Sequence, residues 1–492
     1  MKNESLVNKL IMFFASYFDA PYEGDTDISD VNQMDVPDAL NEEIAAYAIS
    51  QGFIKEEDAE RYCAKIWGIL SPLPSKINEV FRQLQKTHGP QAACDYLFNI
   101  SVKNGYIQKT AIEKNLKWDY KDGNNNLEIT VNLSKPEKNN KEIAKLLTTP
   151  QIRQYPMCAL CKENEGYEGF GSHPPRQNIR TVKMMLGGEP WFMQYSPYAY
   201  YDEHCIVISE RHVPMHSDAT TVAKLLDFVD FLPNYFIGSN AALPIVGGSI
   251  LNHEHFQGGR HLMPMHRAGI RVPLHSAEFP QLKIGILDWY NSGIQIEGED
   301  REAVAALAAR VITEWKKFSC PECDILSETE GVPHNAVSPI CRKEGDKYLF
   351  SLLLRNNRTD KHYPDGIFHV HPEFMNIKSE GIGLIEAMGL FILPPRLKRQ
   401  LNAITDILCG KRPYDPEELE NENCDLFIHR NMIRDLLQGE KLSDERQAQQ
   451  RVRDYVGNVC ANILDNTAVF KRDETGRRGF KKFTEQLNLK EV

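Results

Sequence analysis

The spacing of apolar residues changes near Trp118. No other feature of the sequence limits the possible folds of this chain as strongly. Before Trp118, Asp38–Ile49, Glu56–Ile69 and Ser75–Thr87 place apolar residues three or four positions apart, which is typical of amphipathic helices. After it, Leu127–Leu133 alternates apolar and polar residues, as a half-buried strand does. The chain therefore begins with a helical region and continues into a part that contains sheet.

Strand-like and helix-like segments follow one another through the rest of the chain. The predicted strands are Trp191–Tyr195, Cys205–Ser209, Ile245–Leu251, Lys283–Asp288, Lys347–Arg355 and Gly366–His371. The predicted helices are Ala219–Phe231 and Arg301–Phe318, while Glu380–Ile392 is predicted as an apolar loop or helix. The remainder, to Val492, is charged and has helical spacing. This order indicates an α+β fold with mainly antiparallel sheets.

The length of 492 residues suits two or three packed units better than a single core. We predict a helical N-terminal extension over residues 1–115, a first α+β region over 116–281 and a second over 282–492, which includes a helical tail. Nothing in the N-terminal extension indicates catalysis, so we interpret it as a packing or dimerisation unit.

Charge and composition exclude several classes of protein. The net charge is −11, which argues against a general nucleic-acid binder because backbone affinity needs clustered Lys and Arg. No apolar run approaches the roughly 20 residues that span a bilayer, and the first residues do not resemble a targeting segment. The 11 cysteines are an odd number in a large chain, which is typical of reduced thiols. We therefore expect a cytoplasmic protein without membrane or nucleic-acid partners.

The most informative segment for chemistry runs from Leu243 to Gly259 and contains His253-Glu-His255-Phe-Gln257. Side chains two residues apart on a strand share a face, so a strand here would align the two histidines with Gln257. Gly-Gly pairs on either side of these three residues permit close backbone approach to a ligand. The chain contains a second His-x-His pair, so the pair alone is a weak signal, and ordinary strand histidines are the alternative.

These residue types suit phosphoryl transfer. A neutral imidazole has a free lone pair near neutral pH and is able to attack phosphorus to form a covalent intermediate. A glutamine amide is able to hold a phosphate oxygen without adding negative charge. The segment therefore predicts a nucleophilic histidine with a neutral hydrogen-bonding neighbour.

This segment closely resembles the active-site strand of galactose-1-phosphate uridylyltransferases in the histidine-triad superfamily, and its Gly-Gly-Ser form is similar to the longer bacterial class. The resemblance implies two histidine-triad-like halves and transfer of UMP from UDP-glucose to galactose 1-phosphate by a ping-pong route. It also implies that His255 is the nucleophile and that Gln257 contacts the transferred phosphoryl group. Ser249 matches a phosphate-contacting serine, and Asn240 matches a substrate-contacting asparagine, although its spacing differs.

Cys158-Ala-Leu-Cys161 has the spacing of a pair of zinc ligands, which needs two further ligands from elsewhere. The family resemblance implies that His212 and His253 are these ligands, and that zinc positions the segment carrying His255. Two reduced, buried thiols are the alternative, and thiol redox catalysis is a weaker one. No organic cofactor is expected.

A second group of possible ligands comprises His334, His369 and His371, which the family resemblance associates with a structural metal. The family's acidic ligand has no counterpart after Gln257, so satisfied histidines or substrate contacts remain an alternative. We interpret Cys320 and Cys323 as plain thiols.

Three charged residues in the second region are predicted to bind substrate. Arg355 and Arg358 carry guanidinium groups, which pair well with phosphate oxygens. Glu386 resembles a family glutamate that binds hexose hydroxyls. Solvated turn residues and a surface glutamate are the respective alternatives.

The function predicted from the sequence is a UDP-glucose–hexose-1-phosphate uridylyltransferase of galactose metabolism, and the family resemblance implies a homodimer. Three alternatives stay open: a related histidine-triad hydrolase or phosphorylase, a zinc-stabilised binding protein without turnover, and a relative that uses another hexose 1-phosphate.

Overall fold

A computed structural model describes residues 38–133, 155–170, 173–439, 442 and 444–492. The α-helices in these residues are α1 Asp38–Ser50, α2 Ala59–Leu70, α3 Pro74–His88, α4 Pro90–Lys103, α5 Lys109–Glu113, α6 Ala219–Phe231, α7 Arg301–Trp315, α8 Leu384–Ala387, α9 Arg396–Leu408, α10 Pro416–Leu419, α11 Arg430–Leu437, α12 Glu445–Thr467 and α13 Glu474–Gln486. None of these helices is both long enough and apolar enough to cross a membrane.

The strands are short, and antiparallel pairs predominate. They are β1 Leu116–Asp122, β2 Asn125–Val131, β3 Val182–Leu186, β4 Glu189–Tyr195, β5 Cys205–Ser209, β6 Phe236–Gly238, β7 His255–Gly259, β8 Ile270–Ser276, β9 Lys283–Leu287, β10 Gly293–Gly298, β11 Glu328–Thr329, β12 Val332–Pro333, β13 Asn335–Glu344, β14 Lys347–Asn356, β15 Leu390–Leu393 and β16 Leu489–Glu491. β15 and β2 form a parallel pair. The predicted α+β class with mainly antiparallel sheets and helical terminal regions is confirmed.

Contacts divide the chain into two compact units. In its described part, the first unit comprises residues 38–114, 155–213 and 253–260. Its helices are α1 to α5, and its strands follow the order β7-β5-β4-β3. The buried Arg180 joins its helical and sheet portions, because its guanidinium donates to the carbonyl oxygens of Gly68 at 2.8 Å and Pro72 at 2.6 Å. The bond to Gly68 satisfies a carbonyl group in the last turn of α2, which the helix itself leaves unpaired, while Pro72 lies just beyond that helix.

The second unit comprises the described residues within 115–139, 214–252 and 261–492. Its larger group of strands follows the order β16-β8-β9-β10-β14-β13-β6, and β1-β2-β15 form a smaller sheet. Five helices of this unit begin at an aspartate whose carboxylate accepts from the first turn, among them α6 after Asp218 and α7 after Asp300. On α7, apolar residues at three- and four-residue spacing are buried, which packs one helix face into the core: Val304, Leu307, Val311 and Trp315.

Most predicted elements lie within a residue or two of the observed ones, and two predicted strands are wrong. Ile245–Leu251 and Gly366–His371 are loops. Ile245 has a φ of 72°, and Gly366 has a φ of 122°, so neither segment is able to continue as extended backbone. Glu380–Ile392 contains the short helix α8 and the start of β15, and the final residues form β16 rather than a continued helix. The division at residues 115 and 281 stays a prediction.

Candidate active site and metal cluster

Four side chains from three segments of the first unit meet in one cluster. Cys158, Cys161, His212 and His253 each offer one ligand atom, and these atoms all lie within 4.8 Å of one another. The two Sγ atoms are 3.7 Å apart, Cys158 Sγ is 3.2 Å from Nδ1 of His253, and Cys161 Sγ is 3.3 Å from Nδ1 of His212. The predicted meeting of these four residues is confirmed.

The donor set fits a divalent metal ion. Two thiolates and two imidazoles are a common tetrahedral set for zinc. The ring of His253 is also held from its far side, because Nε2 lies 2.9 Å from the carbonyl oxygen of Ser209. A proton on Nε2 leaves the lone pair of Nδ1 facing the sulfur atoms, which is the arrangement that metal-ligating histidines adopt.

The loop that carries the two cysteines is shaped by hydrogen bonds to their backbone and sulfur atoms. The amide of Asn164 donates to the carbonyl oxygens of Cys158 at 2.9 Å and Cys161 at 2.8 Å. The backbone N–H of Leu160 points at Cys158 Sγ, 3.4 Å away. Hydrogen bonds within the loop therefore help to hold both sulfur atoms in place.

Strand β7 carries the candidate nucleophile but begins later than the sequence predicted. His255 and Gln257 are both on β7 and share a face, opposite Ile208 and Ile206 of β5 respectively. His253 precedes the strand, so the prediction that all three side chains share one strand face is wrong for His253. Its ring instead faces the cysteine pair, with Nδ1 lying 3.2 Å from Cys158 Sγ. On the other face, Phe256 stacks on the buried Trp191 at 4.7 Å, which anchors the strand in the core.

The imidazole of His255 is held in one orientation and kept neutral. Its Nδ1 lies 2.8 Å from the carbonyl oxygen of His253, so Nδ1 carries the proton and donates it to that oxygen. The Nε2 lone pair is then available for bonding to an electrophile. Burial is the main reason that the pKa of His255 lies below its usual value, although the hydrogen bond to the carbonyl oxygen of His253 opposes this shift. The side chain is 6% exposed.

Gln257 has a partner that the sequence did not reveal. Nε2 of His204, directly before β5, lies 3.1 Å from Oε1 of Gln257. Antiparallel pairing of β5 with β7 creates this contact. A register between two strands 50 residues apart is not readable from the sequence, and no local signal marked His204.

In the second unit, Arg355 and Glu386 belong to a buried polar group. Arg355 is 0% exposed, and its Nη2 donates to the carbonyl oxygen of Ile382 at 3.0 Å. Its Nε and Nη1 have no hydrogen-bond partner within the described part of the chain. Burial lowers the pKa of Arg355 to about 10, against the opposing effect of Glu386. A fully buried guanidinium with free donors is unusual and suits an anionic ligand.

Glu386 and Asn240 are held by neighbours in the same unit. Lys378, missed by the sequence analysis, donates to Glu386 at 3.1 Å and to the carbonyl oxygen of Ile392 at the same distance. Asn240 accepts from the backbone N–H of Leu384 at 2.8 Å, at the start of the helix that carries Glu386. Asn240 therefore positions this helix.

The remaining predicted substrate residues lie near the surface. Ser249 is exposed in the loop that replaces the predicted strand. Arg358 lies beyond the end of β14, where its guanidinium pairs with Asp324 at 3.1 Å. The substrate roles of Ser249 and Arg358, like those of Asn240, Arg355 and Glu386, stay predictions.

The second group of histidines is not brought together as a metal site. Among the residues that the structure describes, the cluster around Cys158 is the one group of at least three close ligand atoms. His334 instead contacts Asn357 and Thr329, and Nε2 of His371 lies 3.0 Å from the carbonyl oxygen of Ile367. Cys320 and Cys323 are free thiols.

Family profiles and several known proteins match most of this chain. Profiles of the N-terminal and C-terminal domains of galactose-1-phosphate uridyl transferase match residues 21–214 and 229–410. Galactose-1-phosphate uridylyltransferase of Caldanaerobacter subterraneus is 42% identical over 96% of this chain and 92% of that protein. Those of Ligilactobacillus salivarius and Latilactobacillus sakei are 40% and 42% identical, over 92% and 91% of this chain and 89% and 88% of those proteins.

Among solved structures, yeast Ap4A phosphorylase Apa2 aligns over 66% of this chain and 88% of that chain. The identity is 10% and the TM-score is 0.33, so the similarity is distant. The sequence relatives, in contrast, are similar over nearly their whole length, and the matched domains cover most of this chain. The chain therefore belongs to the galactose-1-phosphate uridylyltransferase family.

Proposed function

We propose that this protein transfers UMP from UDP-glucose to galactose 1-phosphate through a covalent bond to Nε2 of His255. The observation that carries the proposal is the 2.8 Å contact between Nδ1 of His255 and the carbonyl oxygen of His253. It commits the proton to Nδ1 and leaves the other nitrogen nucleophilic. Family membership identifies the group that the nucleophile transfers.

In the first half-reaction, the Nε2 lone pair attacks the α-phosphorus of UDP-glucose. A P–N bond forms while the bond from the α-phosphorus to the bridging oxygen breaks, and glucose 1-phosphate leaves with the electron pair. The imidazole becomes positively charged in this step. The hydrogen bond from Nδ1 to the carbonyl oxygen of His253 strengthens as that charge develops, which stabilises the adduct.

In the second half-reaction, a phosphate oxygen of galactose 1-phosphate attacks the same phosphorus and the P–N bond breaks. UDP-galactose leaves, and the imidazole returns to its neutral form. The amide of Gln257 is on the same strand face as His255 and donates to a non-bridging oxygen in both directions. The low polarity around His255 favours the neutral nucleophile at the start of each cycle.

Zinc is the metal that we propose for the cluster of Cys158, Cys161, His212 and His253. The mixed sulfur and nitrogen donors support zinc over oxygen-preferring cations. When bound, the ion supplies rigidity rather than substrate chemistry. It ties His253 to the cysteine loop, and the carbonyl group of His253 in turn orients His255.

The sugar phosphate is proposed to bind Arg355 and Glu386. The free donors on the buried Arg355 support recognition of a phosphate, and the carboxylate of Glu386 suits hexose hydroxyls. Arg358 and the exposed Ser249 are proposed as further phosphate contacts. Asn240 supports Glu386 by holding the start of α8.

The test is isolation of the covalent intermediate. Incubation with UDP-glucose alone should add one UMP to the protein, and peptide mapping should locate it on His255. The His255→Gly variant should lose the adduct and keep the circular dichroism spectrum of the wild type. An adduct that persists in this variant, or maps elsewhere, would overturn the proposed nucleophile.

The same incubation separates the rival functions. A hydrolase would release UMP in water alone, and a phosphorylase would release UDP once inorganic phosphate is added, whereas the transferase forms UDP-galactose only when galactose 1-phosphate is added. A non-catalytic binding protein would form neither product. Comparing several hexose 1-phosphates as acceptors identifies the preferred sugar.

Family resemblance also supports a homodimer, and we propose the cytoplasm as its location. Multi-angle light scattering on the purified chain tests the dimer, which predicts twice the 56.2 kDa chain mass. Fractionation of the source cells tests the location.

A further inference from the structure

His204 lies beside the proposed phosphoryl-binding amide and has no role in the reaction described so far. On the paired strands, Ile206 lies opposite Gln257. His204 is two residues before Ile206, so its side chain is on the same face and diagonal to Gln257. Long side chains are able to meet across such a diagonal. The observed 3.1 Å between Nε2 of His204 and Oε1 of Gln257 is this contact.

The ring of His204 is held firmly by its surroundings. It stacks on Tyr200 with 5.2 Å between ring centroids and lies against Tyr201 at 4.5 Å. His204 is 2% exposed. Two aromatic neighbours and burial therefore keep the imidazole edge directed at Gln257.

The hydrogen bond has a preferred direction. Burial lowers the pKa of His204 to about 4, so the ring is neutral and carries one N–H at neutral pH. Its Nδ1 is buried without a hydrogen-bond partner in the described residues. A proton on Nδ1 would be an orphaned buried donor, which proteins avoid more strongly than an orphaned acceptor. The proton is therefore on Nε2 and is donated to Oε1 of Gln257.

We propose that His204 is a positioning residue, whose Nε2–H fixes the amide of Gln257 so that its two N–H donors, and not its oxygen, face the transferred phosphoryl group. This inference rests on the proposed function. Without His204, the amide of Gln257 is free to rotate by half a turn and present its carbonyl oxygen to the phosphate. In that orientation the carbonyl oxygen of Gln257 repels the phosphate. A fraction of the enzyme molecules would therefore hold Gln257 in an unproductive orientation during each turnover.

The first test compares rates of adduct formation in a single turnover with UDP-glucose. His204→Phe keeps the aromatic ring between the tyrosines and removes the donor, and we expect adduct formation to slow by about 10- to 100-fold. His204→Gln returns an N–H donor at a similar reach, and we expect it to recover part of the lost rate. If Phe lowers the melting temperature by more than about 5 °C, His204→Met replaces it as the donor-free variant.

A double-mutant cycle separates positioning from a structural effect. Gln257→Ala removes the amide that His204 is proposed to orient. In that background, His204→Phe should cause no further loss of rate. Equal losses in both backgrounds would overturn the inference, because His204 would then act independently of Gln257.

A matched control uses another buried, neutral histidine. Both ring nitrogens of His266 are buried without a partner in the described residues, and burial lowers its pKa to about 3. His266→Phe should therefore leave the rate of adduct formation unchanged. If the wild type forms no adduct, the proposed function fails. If the wild type forms it and His204→Phe forms it equally fast, only the role of His204 fails.

Discussion

The Nδ1 atom of His255 lies 2.8 Å from the carbonyl oxygen of His253, two residues earlier in the chain. The ring of His253 lies in the cluster with Cys158, Cys161 and His212, while its backbone orients the proposed nucleophile. The cluster and the reacting nitrogen are therefore connected through one residue. This connection predicts that disturbing the cluster changes the rate of reaction without removing any group that touches substrate.

Replacing a cluster ligand should reduce both metal content and rate. For Cys161→Ser we expect loss of bound metal and adduct formation slowed by about 10- to 100-fold, since His255 would lose its fixed support. Plasma mass spectrometry measures metal per chain, and rapid quench measures the rate. Cys409→Ser changes a half-buried thiol outside the cluster and should retain metal and rate. A metal-free Cys161→Ser protein that reacts at the wild-type rate would contradict the prediction.

A charge placed at Gln257 should oppose the reaction more than loss of the amide does. Gln257→Ala removes a donor to the developing phosphoryl charge, which is expected to slow adduct formation by about 100- to 1,000-fold. Gln257→Glu adds a carboxylate beside the phosphate and should be slower still. Single-turnover rates at neutral pH measure both variants. Equal rates for Ala and Glu would show that charge repulsion is unimportant at this position.

Arg355 should contribute to substrate binding at the expense of stability. Arg355→Met removes a fully buried charge with two unpartnered donor atoms, so we expect an unchanged or higher melting temperature. The KM for galactose 1-phosphate should rise by about 10- to 100-fold through loss of a charged hydrogen bond of about 1.5–3 kcal/mol. Calorimetry and steady-state kinetics measure the two effects. A lower melting temperature with unchanged KM would identify Arg355 as purely structural.

Buried neutral histidines should make the fold sensitive to acid. His429 is 0% exposed, and burial lowers its pKa to about 4. Because the unfolded chain binds this proton near pH 6.5, the stability contributed by neutral His429 is complete above that pH and is lost as pH falls towards 4.

The loss attributable to His429 is on the order of 3 kcal/mol at full effect. His429→Gln retains a neutral hydrogen-bonding side chain without a titrating ring. Urea unfolding at pH 7 and pH 4.5 should therefore show a smaller difference for this variant than for the wild type. Parallel pH dependence in both proteins would contradict the assignment.

The spacing of apolar residues correctly predicted those helices and strands whose conformation follows from their own residues. Helix α6 occupies the predicted residues, and β5 does so as well. Apolar spacing is sufficient there because each element buries one face against the core. The strand predicted over Ile245–Leu251 is wrong because an apolar run does not reveal whether a partner strand lies beside it. The positive φ of Ile245 turns that segment into a loop.

The candidate site was predictable where one short segment carried the chemistry. His255 and Gln257 are two residues apart on a strand, so their common face follows from the sequence alone. The meeting of Cys158 with His212 and His253 needed the family resemblance, since 95 residues separate Cys158 from His253. The contact of Lys378 with Glu386 had no signal, because a lysine in a polar segment is ordinarily solvated.

The amino-acid sequence by itself indicated the class of fold and the common strand face of His255 and Gln257, because periodicity and two-residue spacing are properties of a single segment. Only the tertiary structure decided that His253 leaves the strand face and that His204 meets Gln257. Both outcomes depend on strand register and on where a long loop returns, which are set by packing between segments far apart in the chain.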